Sequence, residues 1–201
     1  MKNLILATKN KGKVTEIENS LNELNFKILS LAATSGFAEI EETGATFEEN
    51  ARIKAEIVYE HFKILTLADD SGLETDALNG TPGVFSARYS GDDATDESNC
   101  EKLLLELDKA SDKRRTARFK CVMVLKDEKT EKVFEGICKG TIAYEKRGEE
   151  GFGYDPLFIP DGYNKTFAEL DLETKNSISH RGKALKLLKE YLFSRGTTLT
   201  G

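Results

Sequence analysis

The chain has 201 residues, 39% of them hydrophobic and 32% charged, and its 29 basic and 35 acidic side chains leave a net charge of −6. That length supports one sizeable core, and the acidic balance argues against nonspecific binding to a nucleic-acid backbone or an anionic membrane, since counterion release needs a basic footprint. Cys100, Cys121 and Cys138 are odd in number, widely spaced and outside any CxxC pair, so neither a disulfide framework nor a zinc site is suggested.

Asn3 to Thr8 form a short, continuous apolar run that reads as a buried strand. A helix is predicted from Lys11 to Leu24, with Val14, Ile17, Leu21 and Leu24 on one face. Between them lies Thr8-Lys9-Asn10-Lys11-Gly12-Lys13. A strand–loop–helix junction offers unpaired N–H groups and the positive end of a helix dipole, which together can cradle phosphate. Thr8 and Asn10 can add hydrogen bonds and Lys13 a cation, although on these residues alone a capped helix start is the simpler reading. It is no P-loop, for no glycine-lysine pair here is followed by Ser or Thr at the Walker spacing.

Glu39-Ile40-Glu41-Glu42-Thr43-Gly44 is an acidic cluster that, alone, reads as a solvated face. Thr46 and Glu49 then make a capping box ahead of a second helix that buries Ala51, Ala55, Val58 and Phe62 and carries Arg52 and Lys54. Leu65-Thr66-Leu67-Ala68-Asp69-Asp70-Ser71-Gly72-Leu73 is the most informative run. Two acids at the end of a buried strand repel each other and cost free energy to desolvate. A divalent cation or a task as catalytic base would compensate; the plainer reading is a turn.

A glycine-punctuated loop to about Gly91 precedes a third helix over Asp96 to Lys109. Thr116 to Leu125 and Val133 to Ala143 alternate like an antiparallel hairpin, in which Cys121 and Cys138 read as small buried hydrophobes. Gly151-Phe152-Gly153-Tyr154-Asp155-Pro156 lacks the third glycine of a dinucleotide fingerprint. It suits either a backbone-exposing loop beside a purine face or a tight turn holding Phe152 and Tyr154 in the core. Ser179 is a candidate N-cap for a last helix over His180 to Ser194. It would put His180 and Arg181 in a first turn where cations oppose the dipole, a local violation typical of functional sites. His61 reads as structural or surface. The tail 196–201 is expected to fray. Strands alternating with helices, then interrupted by a hairpin, predict a mixed-sheet α/β fold in one domain over 1–201. The first apolar run is too short for a signal peptide and no stretch reaches transmembrane length, so a cytoplasmic protein without a membrane partner is expected.

Six blocks resemble the inosine triphosphate pyrophosphatase family, which removes non-standard purine nucleotides. They are Leu6–Lys13, Glu41–Ala51, Ala68–Leu73, Pro82–Tyr89, Gly151–Pro156 and Ser179–Leu185, in family order and spanning nearly the whole chain. The resemblance implies an elongated mixed sheet flanked by helices, two lobes with a central substrate cleft, and a homodimer. It also implies hydrolysis of inosine, deoxyinosine or xanthosine triphosphate to the monophosphate and pyrophosphate. Asp70 would be the general base and, with Glu41, a ligand of Mg2+. Thr8, Asn10, Lys13, Lys54, Ser71 and Lys175 would hold phosphates and sugar, with Lys9, Lys11 and Gly12 completing the phosphate loop. Phe152, Gly153, Tyr154 and Asp155 would line the base pocket, and His180 and Arg181 would read the base edge. Lys9 stands where the family carries glycine, adding charge and bulk to that loop. A related pyrophosphatase acting on thymidine or uridine triphosphates and a non-catalytic nucleotide-binding regulator are the competing readings. The Ser-His-Arg and Phe-Gly-Tyr-Asp blocks argue against the first and the intact acids against the second.

Overall fold

The computed structural model describes residues 2–31 and 37–196; the tail expected to fray lies outside them except for Gly196. Six strands form one mixed sheet in the order β2-β1-β3-β4-β5-β6. They are β1 (Lys2–Leu6), β2 (Phe26–Ser30), β3 (Thr66–Thr75), β4 (Thr116–Lys126), β5 (Glu131–Ile142) and β6 (Phe158–Pro160). The helices are α1 (Lys11–Leu21), α2 (Phe47–Phe62), α3 (Asp96–Lys109), α4 (Leu172–Ile178) and α5 (His180–Ser194). β1 pairs parallel with β2 and β3, while β5 and β6 run antiparallel.

The chain divides into two compact units, the first made of 1–70, 121–136 and 181–201 and the second of 71–120 and 137–180. Each has its own apolar core. In the first, Leu4 and Leu6 of β1 and Leu67 of β3 pack with Ile17 and Leu21 of α1 and with Leu185, Leu188 and Leu192 of α5. In the second, Leu103 and Leu107 of α3 pack with Phe119, Phe158, Phe167 and Tyr154.

Two local readings are corrected. α1 stops at Leu21, and the chain turns through Leu24, whose N–H donates to the Leu21 carbonyl, to enter β2. β2 was hidden by its shortness and by the apolar Leu24, which extends the helical stripe. The strand carrying the acid pair does not end at Asp69. β3 continues through Asp70, Ser71 and Gly72 to Thr75, because its neighbours satisfy the polar side chains that otherwise signal a turn. Ser179 closes α4, a helix the sequence did not signal, donating its N–H to the Lys175 carbonyl, and α5 begins at His180 immediately after it, as read.

Candidate active site

Adjacent residues of a strand point to opposite faces, and this separates the two acids. Leu67 faces the core shared with α1 and α5, so Asp69, two residues on, faces the same way. There Lys13 Nζ lies 2.9 Å from Asp69 Oδ2, and Arg181 Nη2 lies 3.5 Å from the same oxygen. Arg181 Nη1 also donates to Glu16 Oε2 at 2.5 Å. Asp69, Arg181 and Glu16 are all buried. Burial would raise the Asp69 pKa, but Lys13, Arg181 and Lys54 together outweigh it and hold the carboxyl well below its ordinary range. Burial likewise opposes the Arg181 charge, and Asp69 and Glu16 outweigh it.

Asp70 faces α2. Asn50 and Lys54 are one helical turn apart on the buried stripe that includes Phe47, Ala51, Ala55 and Val58. Asn50 Nδ2 donates to Asp70 Oδ2 at 3.2 Å, and Lys54 Nζ lies 3.7 Å from Asp70 Oδ1. Lys54 also donates to Glu42 Oε1 at 2.5 Å. Burial pushes the Asp70 carboxyl up, against the pull of Lys54 and Lys13. For Lys54, burial would lower the pKa, but Asp70, Asp69 and Glu42 raise it above its ordinary value. The cost of burying two neighbouring acids is thus offset by four protein groups of the first unit, two on each face of β3.

The junction before α1 is a capped helix start whose side chains are spent locally. Asn10 Oδ1 accepts the Lys13 N–H at 3.0 Å, and Thr8 Oγ1 accepts the Asn10 N–H at 3.2 Å. Lys9 and Lys11 are exposed and Gly12 is half-buried. Lys9 Nζ donates to the Phe37 carbonyl at 2.9 Å, which is where the extra bulk of this residue goes. Ser71 is half-buried in β3 and Glu41 is exposed. Among the described residues, no group of three or more His, Cys, Asp or Glu side chains is arranged to hold a metal ion. Magnesium asks less, one or two carboxylates with water and substrate phosphates completing the shell. Asp70 and Glu42 are two such carboxylates, tied to each other through the Lys54 ammonium, and Glu41 adjoins Glu42 in the chain.

The second unit holds Phe152, Gly153, Tyr154, Asp155, Lys175 and His180. Asp155 Oδ2 accepts the Phe152 N–H at 2.9 Å and a bond from Lys175 Nζ at 2.7 Å. Lys175 Nζ also lies 4.9 Å from the centroid of the Phe152 ring. Gly151 has φ +85°, and a Cβ there would collide with the Asp155 carboxylate, so the loop requires glycine. The Gly153 N–H donates to Asp96 Oδ2 at 2.7 Å. Phe152 and Gly153 are half-buried. Tyr154 belongs to the core, its hydroxyl donating to the Ser86 carbonyl at 2.9 Å. His180 stacks on Phe119 with centroids 4.6 Å apart and planes 9° from parallel. Arg181, expected at the base edge, has its guanidinium committed to Glu16 and Asp69 because those acids are its nearest compensation on burial.

Sequence reasoning missed Asn50 and Glu16. Each is a polar residue on the apolar stripe of an amphipathic helix, and that misplacement is the signal that could have found them.

The chain belongs to the Ham1 family, whose model matches residues 4–191. It is similar to the dITP/XTP pyrophosphatase of Halalkalibacterium halodurans, with 52% identity over 96% of this chain and 100% of that one. It is also 50% identical to the dITP/XTP pyrophosphatase of Desulforamulus reducens over 94% of each chain. A solved HAM1 protein from Coxiella burnetii superposes with a TM-score of 0.89 at 43% identity, covering 96% of this chain and 100% of the other.

Proposed function

We propose that this chain is a nucleoside-triphosphate pyrophosphohydrolase that clears non-standard purine nucleotides, taking deoxyinosine, inosine and xanthosine triphosphates to the monophosphate and pyrophosphate. The observation that carries the chemistry is the buried Asp70 carboxylate, anchored by Asn50 on one oxygen and facing Lys54 with the other. A base of that kind, raised by burial, suits abstraction of a proton from water. The water oxygen bonds to the α-phosphorus, the bond to the α–β bridging oxygen breaks, and pyrophosphate leaves. Lys13 and Lys54 are the cations we assign to the charge on the triphosphate and the leaving group, with Thr8, Asn10 and Ser71 as further phosphate contacts. Asp70 and Glu41 would hold a divalent cation, Mg2+ in our reading, which when bound neutralises triphosphate charge and polarises the phosphorus.

Base recognition is assigned to Phe152, Gly153 and His180, with Asp155 and Lys175 holding the loop. Donors aimed at a C6 carbonyl accept hypoxanthine and xanthine and leave adenine, with its C6 amino group, mismatched. Three buried cysteines, none in a disulfide, support a reducing, cytoplasmic setting; among the described residues no helix is long and apolar enough to cross a membrane. A homodimer belongs to the same reading.

The test is product analysis after incubation with deoxyinosine, xanthosine, adenosine or guanosine triphosphate and Mg2+. Monophosphate and pyrophosphate from the first two, with little turnover of the others, is the expected result. Diphosphate and inorganic phosphate would move the cleavage point and overturn the proposal.

A further inference from the structure

We propose that Asn50 is a positioning residue of the reaction, clasping the acidic segment before α2 to the Asp70 carboxylate; this rests on Asp70 being the base. Asn50 is fully buried, and both ends of its amide are used. Oδ1 accepts the Gly44 N–H at 2.7 Å, while Nδ2 donates to Asp70 Oδ2 at 3.2 Å. A peptide N–H can only donate and a carboxylate can only accept, so the two partners dictate which way the amide points. A single planar group thereby fixes the spacing between the strand that carries Asp70 and the segment that carries Glu41 and Glu42.

The surrounding backbone is built around this clasp. Glu49 Oε2 accepts the next two N–H groups, Ala45 at 2.7 Å and Thr46 at 3.1 Å. Three consecutive amides are therefore tied to side chains of the first turn of α2. A Cβ on Gly44 would stand 2.7 Å from Asn50 Oδ1, 2.7 Å from Glu49 Cβ and 3.0 Å from Asn50 N. Glycine is required there by the closeness of approach. Glu42, two residues earlier, reaches Lys54 on the same face of α2. With Oδ2 of Asp70 engaged by Asn50, the carboxylate is held so that Oδ1 faces Lys54. Rotation of that carboxylate would misplace the proton acceptor relative to water and phosphorus.

Two substitutions test the clasp from opposite ends. Asn50→Asp is isosteric and retains an acceptor for the Gly44 N–H, but it turns lone pairs toward Asp70. Gly44→Ala forces the segment away without touching Asp70. Steady-state kinetics with deoxyinosine triphosphate and Mg2+ are measured on protein shown by near-UV circular dichroism to be folded at the assay temperature, with the parent chain first. The expected result is a kcat lowered about 10²-fold in Asn50→Asp, with KM held within about threefold. Gly44→Ala should show the same split to a smaller degree, and it carries the test if Asn50→Asp does not fold. Turnover within about twofold of the parent in a folded variant makes Asn50 a packing residue and overturns the proposal. A raised KM at unchanged kcat overturns it as well, making the clasp a binding element. A parent chain that leaves deoxyinosine triphosphate intact instead sinks the pyrophosphohydrolase reading beneath it.

Discussion

Asp69 and Asp70 are neighbours in sequence and yet have different physical situations. Asp69 is sealed between Lys13 and Arg181, and its carboxyl is held far below its ordinary pKa. Asp70 meets the Asn50 amide and the Lys54 ammonium, and burial pushes it the other way. The two asparagine variants should therefore separate. Asp70→Asn keeps the volume and leaves an acceptor for Asn50, so it should fold like the parent while turnover falls by a factor on the order of 10² to 10⁴, the range for loss of a general base. Asp69→Asn removes the counter-charge that Lys13 and the buried Arg181 share and leaves Arg181 with Glu16 alone, which should cost about 3 kcal/mol in urea unfolding, the low end for a broken buried pair. A stable, inactive Asp69→Asn, or an unstable Asp70→Asn, would reverse the roles assigned to the two acids. The pair was legible in sequence because acids following an apolar strand demand compensation. The identity of the compensators was not, since Arg181 and Glu16 meet across 165 positions.

Helix α2 shows what local pattern can and cannot deliver. Thr46 and Glu49 form the expected capping box, the Thr46 side chain accepting the Glu49 N–H and Glu49 accepting the Thr46 N–H. Its signal is short-range, so it survives without tertiary context. α3 and α5 likewise begin and end as read from their periodicity. β3 is the opposite case, since Asp-Ser-Gly is strong turn chemistry that only burial and distant partners override. β2 and α4 are too short to show a period, and their existence depends on the parallel pairing of β2 with β1 and on the Asp171 cap. The cap on α2 matters beyond stability because Glu49 also holds Ala45. Thr46→Ala should lower unfolding free energy by about 1 kcal/mol in urea titration, while circular dichroism shows the helix retained. No measurable loss would mean that α2 is held by its buried stripe alone.

At the scale of the molecule, each unit builds its own core from segments distant in sequence, and every cysteine is enclosed: Cys121 in the first, Cys100 and Cys138 in the second. Burial pushes the Cys100 and Cys121 thiols up to about 12, whereas an unfolded thiol titrates near 8.5, as a rough reference value. The native state then binds more protons than the unfolded state at any pH between those values. Stability from these groups is complete below the unfolded pKa and is lost as pH rises toward the folded one. Unfolding midpoints in urea should accordingly decline from about pH 8.5 upward, and Cys121→Ala should flatten the slope once its own packing loss is subtracted as a constant offset. Since the thiolate is the reactive species, a disulfide reagent at neutral pH should leave the folded chain unmodified and should titrate all three thiols after denaturation. Rapid labelling of the folded protein would mean that one of the two cores opens on the timescale of the reaction, and the cysteine labelled would identify which one.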